Sequence, residues 1–188
     1  MTITNPPAAG LGPFLTIAAL AIMLVSTPAM AMEDGPQNVV TVDLLNSAKG
    51  MGMVEYQRLI WRDYAWKARV LSWSMKTEKW AVAANGIGGG IRHYTQGTAP
   101  EGGYMEASLD VAQISADASA FAPPGIQKSF YLMPTGSVGY SWFHEQFFAE
   151  ITLGVRYMMM GSIQPKLGKY FPLDGPLFFF TISFGLPF

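Results

Sequence analysis

The chain has 188 residues, enough for one ordinary domain and short for two. Half of it is hydrophobic and only 13% is charged, against about 25% charged in a soluble domain, so water is not its expected solvent. A net charge of -1 and the lack of any basic run leave no electrostatic reason to expect nucleic acid. The absence of cysteine excludes disulfides, thiolate metal sites, a cysteine nucleophile and a lipidated cysteine anchor.

The first element in chain order is the apolar run Leu15 to Val25, followed by Pro28-Ala29-Met30-Ala31 with the small-x-small spacing of an export cleavage site. The expectation is a signal peptide over residues 1–31, cut after Ala31, with residues 32–188 as the working domain. The first basic residue is Lys49, so the usual positive leader is missing, and an uncleaved anchor is the alternative. Beyond this segment no apolar run approaches the roughly 20 residues of a spanning helix. What recurs instead is period-two alternation, and in lipid only helices and closed barrels satisfy their backbone groups.

The first strand is expected over Asn38 to Ser47, with Val40, Val42 and Leu44 opposite Thr41 and Asp43. After Ala48-Lys49-Gly50, a second runs from Met53 to Ile60, placing Val54 and Tyr56 opposite Glu55 and Gln57. Arg62-Asp63 marks a turn, and a third strand covers Trp66 to Met75. Its facing is open: Leu71, Trp73 and Met75 share a parity with Arg69, while Val70 goes with Ser72 and Ser74. The fourth includes Gly86 to Thr95, with Ile87, Ile91 and His93 opposite Gly88, Gly90, Arg92 and Tyr94, although Asn85-Gly86 is also a hairpin-turn signal.

Gly97 to Gly103 breaks the pattern. The fifth strand, Tyr104 to Ile114, sets Met105, Ala107, Leu109 and Val111 against Glu106, Ser108 and Asp110. Ser115 to Met133, with Pro123-Pro124-Gly125, is expected to be a long external loop. The sixth strand runs from Thr135 to Phe143, with Val138, Tyr140 and Trp142 opposite Ser137, Gly139 and Ser141. A short turn at His144-Glu145-Gln146 leads to the seventh, Phe147 to Met159, where Ala149, Ile151, Leu153, Val155 and Tyr157 oppose Glu150, Thr152, Gly154 and Arg156. Gly161 to Gly175 is a second long loop. The closing strand, Pro176 to Phe188, carries Phe178, Phe180, Ile182, Phe184, Leu186 and Phe188 on one face and Thr181, Ser183, Gly185 and Pro187 on the other.

An apolar face ending in a carboxy-terminal Phe resembles the terminal strand by which bacterial outer-membrane β-barrels are recognised and inserted. The valine-rich first strand, VEYQR, GIGGGIRHY and the Pro-Glu-Gly-Gly turn are similar to small eight-stranded outer-membrane barrel families, particularly bacterial barrel domains of unknown function. The chain departs from them in its uncharged leader and in Pro187, tolerable near a strand end because a lost ladder donor matters least there. The resemblance implies an all-β fold, a closed antiparallel up-and-down transmembrane barrel of eight strands, in the outer membrane of a Gram-negative cell. It also implies outer-membrane lipid and lipopolysaccharide as surroundings, the barrel-assembly machinery as handler, no cofactor, and protein partners met through external loops.

Alternation alone does not say which face meets lipid, since a soluble lipocalin-type barrel has the same period with the faces exchanged. Low charge, the terminal Phe, and aromatics near strand ends (Trp66, Tyr94, Tyr104, Trp142, Tyr157) favour lipid outside. Glu55, Arg92, Glu106, Asp110, Glu150 and Arg156 then point inward, where they must pair, because desolvated lone charges cost several kcal/mol. A barrel of this size is only about wide enough for its side chains, so the network is expected to plug it.

Other chemistry is thinly represented. A lipid A deacylase-like enzyme is the catalytic alternative, but the conventional bases are His93 and His144, both expected near periplasmic strand ends. The Gly86, Gly88, Gly89, Gly90 cluster has Ile91 where a nucleotide loop needs its last glycine. It fits better as small residues inside a narrow barrel. Met158-Met159-Met160 reads as an apolar strand end rather than a soft-metal site. A non-enzymatic barrel, a lipid-modifying enzyme and a soluble periplasmic ligand-binding barrel are therefore the three readings to separate.

Overall fold

The computed structural model describes residues 37–47, 51–76, 81–95, 99–117, 126–144, 146–160 and 175–188. Within them eight strands form one closed antiparallel barrel in sequence order: β1 (Asn38–Asp43), β2 (Met51–Leu59), β3 (Tyr64–Lys76), β4 (Ala81–Tyr94), β5 (Gly102–Asp117), β6 (Ile126–His144), β7 (Phe147–Met160) and β8 (Gly175–Pro187). The ring closes through β1 and β8, with Val40 opposite Leu186 and Val42 opposite Phe184. At the carboxy terminus Asn38 and Phe188 exchange backbone hydrogen bonds of 3.2 and 2.9 Å. The expected leader over residues 1–31 lies outside the described residues.

Two boundaries differ from expectation. The first strand ends at Asp43, and the chain turns through a one-turn helix, α1 (Leu44–Ser47), which carries Leu44 out of the ladder. The expected loop from Ser115 to Met133 is largely strand, since β5 continues to Asp117 and β6 begins at Ile126. The pairing Asp117 to Ile126, Ser115 to Lys128 and Gln113 to Phe130 extends the hairpin. Pro134 sits inside β6, opposite Leu109. Asn85-Gly86 is not a turn but mid-strand, paired with Ser72 and Leu71 of β3. The second expected loop, Gly161 to Gly175, lies outside the described residues except for Gly175, which begins β8.

Side chains alternate across the wall as the pleat requires. Ile87, Ile91, Leu109, Val138, Leu153 and Phe180 stand exposed on the outer surface. Their strand neighbours Arg92, Glu106, Asp110, Ser137 and Thr152 are buried within. The third strand, open on sequence, places Lys67, Arg69 and Leu71 inside and Trp66 outside.

The interior is layered. At the short-turn end Ala65, Tyr94 and Tyr104 pack with Leu59 and Ala99. A charged belt lies above them. Beyond it come Leu71, Val82, Ala84, Ala112, Ile114, Tyr131, Met133 and Met158, with Trp73 against them. Met158 thus joins an apolar layer, while Met159 is outward and exposed.

Of the aromatics expected at the outer rim, Trp66, Trp142 and Tyr157 are outward and exposed. Tyr94 and Tyr104 are not: they are 1% and 2% exposed and lie inside, because they share the parity of Arg92 and Glu106.

The outer face yields a direct expectation. Leu153, 57% exposed and flanked by Val138 and Phe180, should tolerate polar substitution in water but not in hydrocarbon. Leu153→Arg or Leu109→Arg should lower unfolding stability in lipid bilayers by about 2–4 kcal/mol if the site is near the midplane. Equal stability of both variants and the parent in urea titrations would mean that this face does not meet lipid.

Candidate functional site

The chemistry-bearing residues of the chain gather in the charged belt. Register begins the assembly, because cross-strand pairing puts Glu55 directly opposite Arg69 and Arg92 directly opposite Glu106. Such opposite-charge pairs on one face attract. The barrel's curvature then brings residues from β2, β3, β4, β5 and β7 toward a common centre.

Glu106 is the hub. It accepts hydrogen bonds from Lys67 Nζ at 2.9 Å, Arg69 Nη2 at 2.6 Å and Arg92 Nη2 at 2.9 Å. Arg92 turns its Nη1 to Glu150 at 2.6 Å, so one guanidinium ties β5 to β7 across the lumen. Lys67 also pairs with Glu55, and Arg69 Nε lies 3.5 Å from Glu55 and 3.4 Å from Asp110. The Arg92 guanidinium rests 3.6 Å from the centre of the Tyr104 ring, a cation–π contact. Tyr104 reaches Glu150 at 3.3 Å and Thr152 at 2.5 Å through its hydroxyl, while Gln57 Nε2 donates to the Tyr94 hydroxyl at 2.7 Å. The two tyrosines therefore form a polar floor beneath the ions.

Glycine makes room at two points. A Cβ on Gly88 would collide with the Asp110 carboxylate, and one on Gly139 would collide with the Tyr104 hydroxyl and ring. The glycine cluster in β4 thus serves packing: Gly88 lies directly opposite Asp110 and lets it fold against the wall.

All six residues expected inside lie on the inward face, though not as equals. Arg92, Glu55, Glu106, Asp110 and Glu150 are buried, whereas the side chain of Arg156 is 24% exposed and sits at the margin, 3.5 Å from Asp110. Arg156 also donates to Thr135 Oγ1 at 3.3 Å and lies over the Phe179 ring. Arg92 and Arg156 were expected to be the main cations; Lys67 and Arg69 are central instead of Arg156, and sequence reasoning missed them. The available signal was the run Trp66, Ala68, Val70, apolar on one parity with Lys67 and Arg69 on the other. It was obscured because Ser72 and Ser74 continue the apolar parity.

The outward residues of the closing strand are in place, with Phe178, Phe180, Phe184, Leu186 and Phe188 exposed and Ile182 partly covered. His93 faces outward at the short-turn end, 3.2 Å from Asp63 and 4.6 Å ring-to-ring from Tyr64. His144 ends β6 beside Phe147 at the same end. Among the described residues no group of three or more His, Asp or Glu is arranged to hold a metal ion. What the belt does chemically is pair its own charges inside the barrel.

The pairing predicts unequal consequences for the arginines. Arg92→Met strands Glu150, whose other cation, Lys67, is 4.0 Å away, and should cost about 3–5 kcal/mol as a broken buried pair. Arg156→Met should cost clearly less, because water already reaches its guanidinium and Arg69 still faces Asp110. Combining Arg92→Met with Glu150→Gln should recover much of the loss. Urea unfolding in detergent measures all three, and equal effects of the two single variants would contradict this geometry.

No family model matches the sequence, and no curated protein matches it. Among solved structures the chain is similar to the N-terminal β-barrel domain of Pseudomonas aeruginosa OprF, with a TM-score of 0.50 and 15% identity over 82% of this chain and 100% of that one. At this level of identity what the two chains share is the β-barrel fold.

Proposed function

We propose that this chain is an integral protein of the bacterial outer membrane: a small plugged barrel, not an enzyme, whose external loops serve a structural, adhesive or partner-binding role. The observation that carries this reading is the inverted distribution of polarity. Large apolar side chains such as Ile91, Leu109, Val138, Leu153 and Phe180 are outside, and Glu106, Arg92, Asp110 and Glu150 are within. A soluble ligand-binding barrel needs the reverse, an apolar lumen and a polar exterior.

Three features support the rest. The strands from β3 to β8 run 13 to 19 residues, beyond the roughly 9–11 needed to cross a bilayer. The Arg92 bridge from Glu106 to Glu150 and the edge-to-face tyrosines Tyr94 and Tyr104 occupy the lumen, which speaks for a plug rather than a water-filled channel. The histidines stand at the short-turn end, opposite the long connections. With the short turns on the periplasmic side, as outer-membrane barrels place them, neither histidine could serve chemistry on external lipid. Binding then falls to the long connections at the other rim, since loops on a rigid scaffold are where recognition usually resides.

The reading predicts that the protein stays in the membrane fraction after alkaline washing and migrates faster in gels before heating than after. Purified protein should give no steady conductance in planar bilayers. Deleting Phe188, or replacing it with Asp, should lower the yield of assembled barrel through loss of the terminal assembly signal. Release by alkali, a stable open channel, or altered lipid A acylation in a deletion strain would each sink part of the proposal; normal assembly without Phe188 would remove the terminal signal.

A further inference from the structure

The polarity of the wall reverses partway up three adjacent strands. On β4 the outward side chains read His93, Ile91, Gly89, Ile87 and then Asn85; on β5 they read Met105, Ala107, Leu109, Val111 and then Gln113 and Ser115. On β3 they read Trp66, Ala68, Val70 and then Ser72 and Ser74. The changeover is in register: Ser72 pairs with Asn85, and Asn85 with Gln113. Ser72 Oγ donates to Asn85 Oδ1 at 2.8 Å on the outer surface. One outward row below, Val54, Val70, Ile87, Val111, Leu132 and Met159 are all apolar. On β6 the apolar side persists through Phe130, and the change comes at the exposed Lys128.

The interior reverses at the same point in the opposite sense. Arg69 gives way to Leu71 and Trp73 on β3, Asp110 to Ala112 and Ile114 on β5, and Thr135 to Met133 and Tyr131 on β6. Below the changeover the wall is apolar outside and charged inside, as lipid requires. Above it the outer face of β3 and β5 is polar, with Ala83 of β4 between Ser74 and Ser115, and the inner face is apolar, the arrangement that water imposes on a sheet with one buried face.

We infer that β3, β4 and β5 leave the hydrocarbon at the Ser72–Asn85–Gln113 row, and that the wall above it is a collar in contact with headgroups and water, folded around its own apolar core. The inference rests on the outer-membrane reading and locates the bilayer against the barrel. It makes the rim a rigid water-facing structure that lifts the connections clear of the lipid.

The chain has no cysteine, so single cysteines report single sites. Leu109→Cys and Ile87→Cys for the belt, and Gln113→Cys and Ser74→Cys for the collar, would be labelled with a small environment-sensitive fluorophore. The labelled proteins would be refolded into phosphatidylcholine vesicles with brominated acyl chains. Belt labels should be quenched several-fold by the brominated chains, and collar labels should resist them while yielding to aqueous iodide. Chain quenching at Gln113→Cys and Ser74→Cys equal to that at Leu109→Cys overturns the collar and leaves the membrane reading intact; no quenching at Leu109→Cys overturns both. Ile114→Asn, buried among Ala112 and Tyr131, tests the core independently. It should lower the unfolding midpoint, and a parent-like midpoint would mean that the upper lumen is wet rather than packed.

Discussion

The structure depends on pairing charge inside a closed wall. Closing eight strands removes every sheet edge and satisfies the backbone without water, but it leaves a lumen only about as wide as the side chains that fill it. Carboxylates placed there lose hydration and cannot stay ionised alone. Glu106, with three cationic donors within 2.9 Å, is how this chain meets that constraint. The remaining inward polar groups, from the tyrosine floor to Thr152, arrange themselves around it.

Such a belt adds little net stability by itself, since desolvation offsets much of the Coulombic gain. What it confers is register. Because side chains alternate with period two, a one-residue slip between strands would send a whole row of charges to the outer face and a row of Leu, Val and Ile into the lumen. The direct oppositions of Glu55 with Arg69 and Arg92 with Glu106 hold the β2–β3 and β4–β5 hairpins each in one alignment. Across the ring, Arg92 and Glu150 set β4 and β5 against β7. The belt inside the lumen therefore also specifies the pairing.

The wall is uneven above the belt. β1 has 6 residues and β2 has 9, while β5 and β6 have 16 and 19. An apolar layer inside the taller strands, capped outside by Ser72, Asn85 and Gln113, gives the rim a core of its own. Both features agree with the proposed role of a scaffold that displays its connections.

Strand number, closure and the facing of seven strands were legible in the sequence, because alternation is a local property and each strand repeats it over enough positions. That the set from Glu55 to Arg156 shares one face followed from parity, and that this face is the inner one followed from the low charge and the terminal Phe. The third strand was not legible: Val70, Ser72 and Ser74 share one face, and Leu71 and Trp73 the other, so its polarity inverts partway along its length. Only the position of β3 between β2 and β4 decides that Lys67 and Arg69 face Glu106. The extension of β5 and β6 through residues read as loop is likewise tertiary, since their backbone pairs across the hairpin whatever the local turn signals. Which arginine is central was also beyond sequence, for Arg92 and Arg156 have the same parity and differ only in height, and height decides how much water each one meets.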